Sequence, residues 1–354
     1  MGRILDAYAQ RHPDLTRKLL TRAVTFNAKR LIVFLTPGFD YRSGGIMSIS
    51  TYNRESKTLR DIHRARVILC TVPGEPDLLK YTWFENQDLL LNLESVLKSC
   101  RGLDYLLLHM PAYAVNQVLG WLHSTSSTLL RDVKDVHLNI LVQNIDNMRG
   151  QNVLGLKRFG KVTCTTSHEA YSNLATREAL GVPLHRLSVC NGPDQYTVYP
   201  YHEKEPLMVV SPDAHPLKEQ VLQHLARACP DLTIKIIQDL SYEDYRKLIR
   251  RAQWSLTFGE GLDGYFVEPA YSGAIAFAVF NSRFFTPAFS NLENIYPSWE
   301  SLLDRIAADI RRLDEPVAFT RCWQQTHNLL GELYSTDRFR QNLRQFYRGE
   351  YTFP

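Results

Sequence analysis

The chain has 354 residues, 44% of them hydrophobic and 22% charged, which is the composition of a globular protein long enough for two domains and argues against disorder. The formal net charge of +4 is too mild to make nucleic acid the partner; it suits a protein that handles anionic phosphates or touches an anionic membrane surface. The cysteines (Cys70, Cys100, Cys164, Cys190, Cys229 and Cys322) form no C-x-x-C pair and several lie in apolar runs, which argues against a zinc site and points to free thiols in a reducing, cytoplasmic compartment.

In chain order, residues 1–29 come first. They set Arg3, Arg11, Arg17, Lys18, Arg22 and Lys29 among Leu, Ile, Ala and Val, with Arg30 next, and predict one or two basic amphipathic helices. A surface helix capping the domain is the ordinary reading. A weak, peripheral contact with an anionic membrane at its inner face is the other. The opening MGRILDAYAQRHPDL lacks the apolar core of a signal peptide, and no apolar run is long enough for a transmembrane helix.

From residue 31 short apolar runs alternate with helical patterns. LIVFL (31–35), RVILCTV (66–72), DYLLLHM (104–110), LNILVQN (138–144), KVTCTTS (161–167) and LSVC (187–190) are predicted strands. ENQDLLLNLESVLKSC and SHEAYSNLATREAL read as helices. Strands this apolar, separated by helices, form a parallel sheet covered on both faces. NGPDQYTVYPYHEKEP then breaks the pattern with Pro, Gly and charge and reads as an interdomain linker. The alternation restarts with LMVVS (207–211), LTIKIIQ (232–238), WSLTF (254–258) and AFAVFN (276–281) as strands, separated by helices, and ends in the helix DRFRQNLRQFYRGEY. The expected organisation is α/β: a Rossmann-like domain over 1–195, a second over 196–335, and a C-terminal helix over 336–354 that packs back on the first domain.

Ligands of such sheets bind beyond the carboxyl ends of the strands. After WSLTF, Gly259, Gly261 and Gly264 allow a sharp turn, and the helix beginning near Tyr265 points free N–H groups and the positive end of its dipole at that turn, a place for a diphosphate. Glu260 lies in the turn and Glu268 one helical turn further on. Carboxylates repel phosphate, so their targets are sugar hydroxyls, to which a carboxylate forms strong charge-assisted bonds. A lone pair of glutamates reads as one cap and one surface residue. The glycine turn and the small residues Ala270, Ser272 and Gly273 favour a site.

The stretch EGLDGYFVEPAYSG resembles the E-x7-E signature, E-G-F-G-x-x-x-x-E-A-x-x-x-G, of retaining GT-B glycosyltransferases. The helix, G-V-P turn, strand and N-G-x-D entry at Asn191, Gly192 and Asp194 also resemble that family, so that the likeness covers roughly residues 161–281. It implies a GT-B fold, two Rossmann-like doubly wound domains facing each other across a cleft, and an enzyme that moves a sugar from a nucleotide-sugar donor to a glycan or lipid-linked glycan, with retention, in bacterial surface polysaccharide biosynthesis. By the same resemblance Glu260 meets the transferred sugar, Glu268 the ribose, the backbone of Gly261 and Leu262 the diphosphate, and Lys218 the diphosphate as a cation. Gly44-Gly45 after the first strand is the turn that approaches donor and acceptor, and His109, rimming the cleft with Asn144 and Asp146, is the candidate histidine beside the donor sugar. The chain departs from the family at Asp263, where Gly is usual, and at Asp213, where an arginine is expected; His215 and Arg283 are the candidate replacements. No D-x-D signature occurs, so no metal and no cofactor are expected. A nucleotide-sugar epimerase of the same fold and a degenerate, non-catalytic binding subunit are the competing readings.

Overall fold

The computed structural model describes residues 12–100 and 102–354. Its backbone divides into two compact units. One comprises the described residues up to His168 with Ser172–Val189 and Arg340–Pro354; the other comprises Glu169–Tyr171 and Cys190–Phe339. Arg3 and Arg11 of the basic N-terminal segment lie outside the described residues.

The first unit begins with α1 (Pro13–Thr25) and β1 (Arg30–Thr36), followed by α2 (Gly44–Lys57), the short α3 (Arg60–His63), β2 (Arg66–Thr71), β3 (Leu90–Asn92) and α4 (Leu93–Ser99). Next come β4 (Tyr105–Pro111), α5 (Val115–Leu129), β5 (Val136–Val142), β6 (Lys161–Thr166), α6 (Leu174–Leu180) and β7 (Leu184–Arg186). The strands form one parallel sheet in the order β3-β2-β1-β4-β5-β6-β7. Leu31 through Leu35 are all fully buried, as a central strand covered on both faces requires.

Three stretches depart from the sequence reading; of 167–180, read as one helix, only Leu174–Leu180 is α-helical, after a 3-10 turn at Glu169–Tyr171. Residues 85–100 are not one helix: Leu90–Asn92 pairs with β2 as an edge strand, and Asn92 then caps α4 by accepting the Ser95 amide at 3.0 Å. The last strand lies at Leu184–Arg186 rather than at 187–190. Leu187 and Ser188 both donate their amides to Thr166 O, and Ser188 is left-handed with φ +71°, which turns the chain away from the sheet.

The second unit carries β8 (Glu205–Val210), α7 (Lys218–Ala228), β9 (Thr233–Ile236), α8 (Tyr242–Arg251), β10 (Ala252–Leu256), α9 (Gly264–Tyr271), β11 (Ile275–Val279), β12 (Ile295–Tyr296), α10 (Trp299–Leu313) and α11 (Pro316–Tyr334). Its parallel sheet runs β12-β11-β10-β8-β9. One face packs Met208, Trp254 and Phe277 on α10 and α11 through Ile306 and Phe319, and the other packs Val209 on Tyr245 and Ile249 of α8. The final helix α12 (Thr336–Arg348) enters the first unit at Arg340. There Phe346 lies against His109, His137 and His185, and Phe353 pairs with Leu184 in an antiparallel bridge. Among the described residues no helix is long and apolar enough to cross a membrane.

Candidate functional site

Strand order reverses between β8 and β10 in the second unit, so the loops after these two strands flank the point where an open parallel sheet leaves room for a ligand. Ser211 ties the two strand ends together: its amide donates to Leu256 O at 3.0 Å, and its hydroxyl accepts the Phe258 amide at 2.9 Å. Lys218, the first residue of α7, folds back over this junction. Its Nζ donates to Ser211 O at 2.7 Å and to Asp213 O at 2.8 Å and lies 5.5 Å from the centre of the Phe258 ring. Burial lowers its pKa, and the charge of Asp213 opposes that shift.

The turn after β10 is as tight as its glycines predict. Gly261 is left-handed with φ +90°, and a Cβ there would stand 2.5 Å from Phe285 Cε2, so only glycine fits. Leu262 is buried, and among the described residues the amides of Gly261 and Leu262 donate to no acceptor. The start of α9 is different from the sequence reading, which left its N–H groups free. Asp263 Oδ1 accepts the amides of Tyr265 and Phe266 at 2.8 and 3.1 Å, and Thr257 Oγ1 donates to Oδ2 at 2.7 Å. The helix end is capped from within, because the residue that replaces the usual glycine is itself a good N-cap. The N–H groups left open at the turn are therefore those of Gly261 and Leu262, with Lys218 Nζ over the neighbouring Phe258 ring.

Carboxylates crowd the same turn. A Cβ on Gly259 would meet Asp213 Oδ2 at 2.8 Å and Asp263 Oδ2 at 3.0 Å. Burial pushes the Asp263 carboxyl up to about 7, against the Thr257 hydrogen bond and helped by the charges of Asp213 and Glu260. Asp213 thus brings a negative charge where the resemblance expects an arginine. His215, a candidate to replace that arginine, accepts the Leu217 amide at Nδ1 at 3.2 Å, its ring lies 4.0 Å from that of Trp299, and burial lowers its pKa, which disfavours a positive charge there. Arg283 stands exposed on the loop after β11.

Glu268, one turn into α9, is enclosed by tyrosines. Tyr242 donates its hydroxyl to Oε2 at 3.1 Å, and Tyr245 and Tyr196 lie nearby, the latter under the Arg246 guanidinium at 4.9 Å. Burial pushes the Glu268 carboxyl up to about 7, against the tyrosine hydrogen bonds and the Arg246 charge. The sequence reading missed these aromatics. Their only signal was the spacing of Tyr242 and Tyr245 on α8, which reads equally as core.

In the first unit Gly44 and Gly45 open α2 beyond the carboxyl end of β1, and Ser43 makes no side-chain cap bond there. A Cβ on Gly44 would meet nothing within 4 Å, while Gln143 Nε2 donates to Gly45 O at 2.9 Å. Asn144 Oδ1 accepts the Asp146 amide at 2.8 Å and caps the turn Ile145–Met148. His109 requires a correction. It lies within β4, is fully buried, and its ring stacks on Phe34 at 4.2 Å with an angle of 4° between planes. Asn139 Nδ2 donates to its Nδ1 at 2.9 Å, and burial holds its pKa well below the ordinary value. The strand runs on to Pro111, so His109 points into the core under Phe346 instead of rimming a ligand site.

No family model matches the sequence, and no curated relative does. The structure is nonetheless similar to HepE from Anabaena solved with UDP-glucose, at 12% identity over 90% of this chain and 99% of that one, with a TM-score of 0.59. It is similar also to sucrose-phosphate synthase from Thermosynechococcus elongatus, at 9% identity over 90% of this chain and 98% of that one, with a TM-score of 0.58. The fold is GT-B. Within the GT-B fold Glu260, Gly261, Leu262, Lys218 and Glu268 share the carboxyl edge of the second sheet, and Gly44 and Gly45 belong to that of the first.

Proposed function

We propose that the chain is a glycosyltransferase that moves a hexosyl or deoxyhexosyl unit from a nucleoside diphosphate sugar to a glycan or lipid-linked glycan, with retention and without a metal ion. The observation that carries the reading is the meeting of Lys218, the unbonded amides of Gly261 and Leu262, and Glu268 at the carboxyl ends of β8 and β10. The similarity to HepE, which was solved with UDP-glucose, supports it. In this reading Glu268 exchanges the Tyr242 hydroxyl for those of the ribose, Lys218 and the two amides hold the diphosphate, and Glu260 contacts the sugar. The bond from the anomeric carbon to the β-phosphate oxygen breaks. The acceptor oxygen bonds to that carbon on the same face, and its proton passes to the leaving phosphate oxygen. The chain contributes stabilisation of the charge that develops on the diphosphate. The acceptor belongs to the first unit, near Gly44 and Gly45. The setting in this reading is bacterial surface polysaccharide biosynthesis; contact with the cytoplasmic face of the membrane is supported by the exposed Leu15, Leu19 and Phe26 beside the basic residues of α1.

A ligand that binds only the folded state raises its melting temperature by mass action. UDP, GDP and dTDP are therefore each added to the protein in a melting experiment, followed by their sugars with a glycan acceptor. Stabilisation by one nucleotide and transfer from its sugar are expected; unchanged melting with all three sinks the reading. The crowding of Asp213, Glu260 and Asp263, with Asp263 titrating at about 7, favours a second reading, a nucleotide-sugar epimerase that uses carboxyls as acid and base. Incubation with donor alone separates the two, since an epimerase converts the sugar without any acceptor.

A further inference from the structure

The amino ends of β1 and β2 and the residue before β4 border an open hollow of about 420 Å³ on the first unit. Five cations line it: Lys29, Arg30, Arg60, Arg64 and Arg66. Asp104 is the only acid in the lining, and it is already paired with Lys134 at 2.7 Å. Gly44 and Gly45 lie beyond the opposite end of β1, so the hollow is separate from the turn assigned to donor and acceptor.

Two of the cations are held in place without being neutralised. Arg30 donates Nε to His63 O at 3.0 Å and lies 4.3 Å over the Tyr105 ring. Arg66 donates Nη1 to the carbonyls of Ala23 and Val24, at 2.7 and 2.9 Å, at the end of α1. Among the described residues Lys29, Arg60 and Arg64 make no ion pair and no side-chain hydrogen bond, and all three are exposed. The backbone is also held in a costly form here. Of the four described non-glycine residues with positive φ, Asn27 and Arg64, each at φ +53°, both line this hollow. Arg64 occupies the left-handed C-cap of α3, a position where glycine is the usual choice, so the chain keeps a guanidinium at the cost of backbone strain. The field reaches inward: burial lowers the His63 pKa, against its hydrogen bond to Ser56 O, and the charges of Arg30 and Arg60 lower it further.

Five like charges in one hollow repel each other unless an anion joins them. Guanidinium groups match the several oxygens of a phosphoryl group in geometry and in charge. We propose that this hollow is a binding site for a phosphoryl anion, distinct from the donor site and independent of the transferase reading. The phosphoryl group belongs either to a soluble ligand or to a lipid headgroup.

Inorganic pyrophosphate is the probe, titrated calorimetrically into the full chain carrying Lys218→Ala so that the donor-side cation is absent. Binding is expected to persist in that variant, to weaken about tenfold or more when Arg60→Ser and Arg64→Ser are added, and to return with Arg60→Lys and Arg64→Lys. Because both arginines are exposed and make no ion pair, and their removal relieves repulsion, the melting temperature of the serine variant should be no lower than that of its parent. Sedimentation with phosphatidylglycerol vesicles, against phosphatidylcholine as control, identifies the source. Vesicle binding lost in the serine variant supports a lipid phosphate; pyrophosphate binding that needs Arg60 and Arg64, with vesicle binding absent or unchanged in the serine variant, supports a soluble phosphoryl ligand. No binding of either probe, or pyrophosphate binding that ignores Arg60 and Arg64, overturns the proposal.

Discussion

Thr257 Oγ1 donates a hydrogen bond to Asp263 Oδ2 at 2.7 Å, across the glycine turn that joins β10 to α9, while the other oxygen of the same carboxyl caps the helix. One side chain therefore closes the turn and fills the helix end that would otherwise attract an anion.

Asp263→Ala should cost about 1–2 kcal/mol of stability in urea denaturation, the usual effect of losing an N-cap. Asp263→Asn keeps most of the cap and removes a charge next to the Gly261 and Leu262 amides. Above about pH 7, where the carboxyl is ionised, it should tighten nucleoside diphosphate binding by roughly threefold to tenfold, since one like charge no longer opposes the phosphates. Weaker binding in the Asn variant, measured calorimetrically, would assign Asp263 to holding the ligand instead.

Glu268→Ala should weaken nucleotide binding by about 1–3 kcal/mol, because two ribose hydroxyls lose a charged acceptor. The Tyr242 hydroxyl loses its acceptor as well, so stability should fall slightly. Affinity equal to the parent protein would remove Glu268 from the site.

The carboxyls of Asp263 and Glu268 are both pushed up to about 7 by burial. The folded state then holds protons to higher pH than the unfolded chain, so their stabilising effect is complete below the ordinary carboxylate pKa and is lost as pH rises towards about 7. The slope is at most about 1.4 kcal/mol per pH unit for each group. Buried histidines such as His137, held down to about 3, act in the opposite sense, so the measurement is a difference. Unfolding free energies of the parent and of Asp263→Asn/Glu268→Gln are compared across this range. The parent should lose stability relative to the variant as pH rises, and parallel curves would contradict the shifts.

Transfer should persist in EDTA, since cationic and amide donors at the diphosphate can replace a divalent ion. Complete loss restored by magnesium or manganese would show that a metal takes part.

Along α1 and its C-cap, Leu15, Leu19 and Phe26 are 46%, 53% and 70% exposed and share one helical face with Arg22. Replacing the three with serine should abolish binding to anionic vesicles without changing pyrophosphate binding. Cations near such a surface contribute about 1 kcal/mol each, so vesicle binding should fall in high salt. Vesicle binding indifferent to these residues would reject α1 as the membrane contact and leave it a structural cap.

The sequence alone was enough to read the two sheets and the edge that carries the candidate site residues. Central parallel strands are buried on both faces and so appear as uninterrupted apolar runs, and a turn such as that at Gly261 must be glycine because a Cβ would strike Phe285. These are local signals. The tertiary structure decided what each polar residue at the edge does. His109 looked like a cleft residue until α12, from the other end of the chain, brought Phe346 against it. Asp263 looked like an intrusive charge until its helix and Thr257 gave it three hydrogen bonds. Tyr196 and the tyrosines of α8 are distant in sequence from Glu268, and Arg30 is distant from Arg60, Arg64 and Arg66; only tertiary packing places each set together. Periodicity reports which face of an element is buried, but not which distant element covers it, and the covering element sets the dielectric, the hydrogen-bond partner and the charge that each side chain meets.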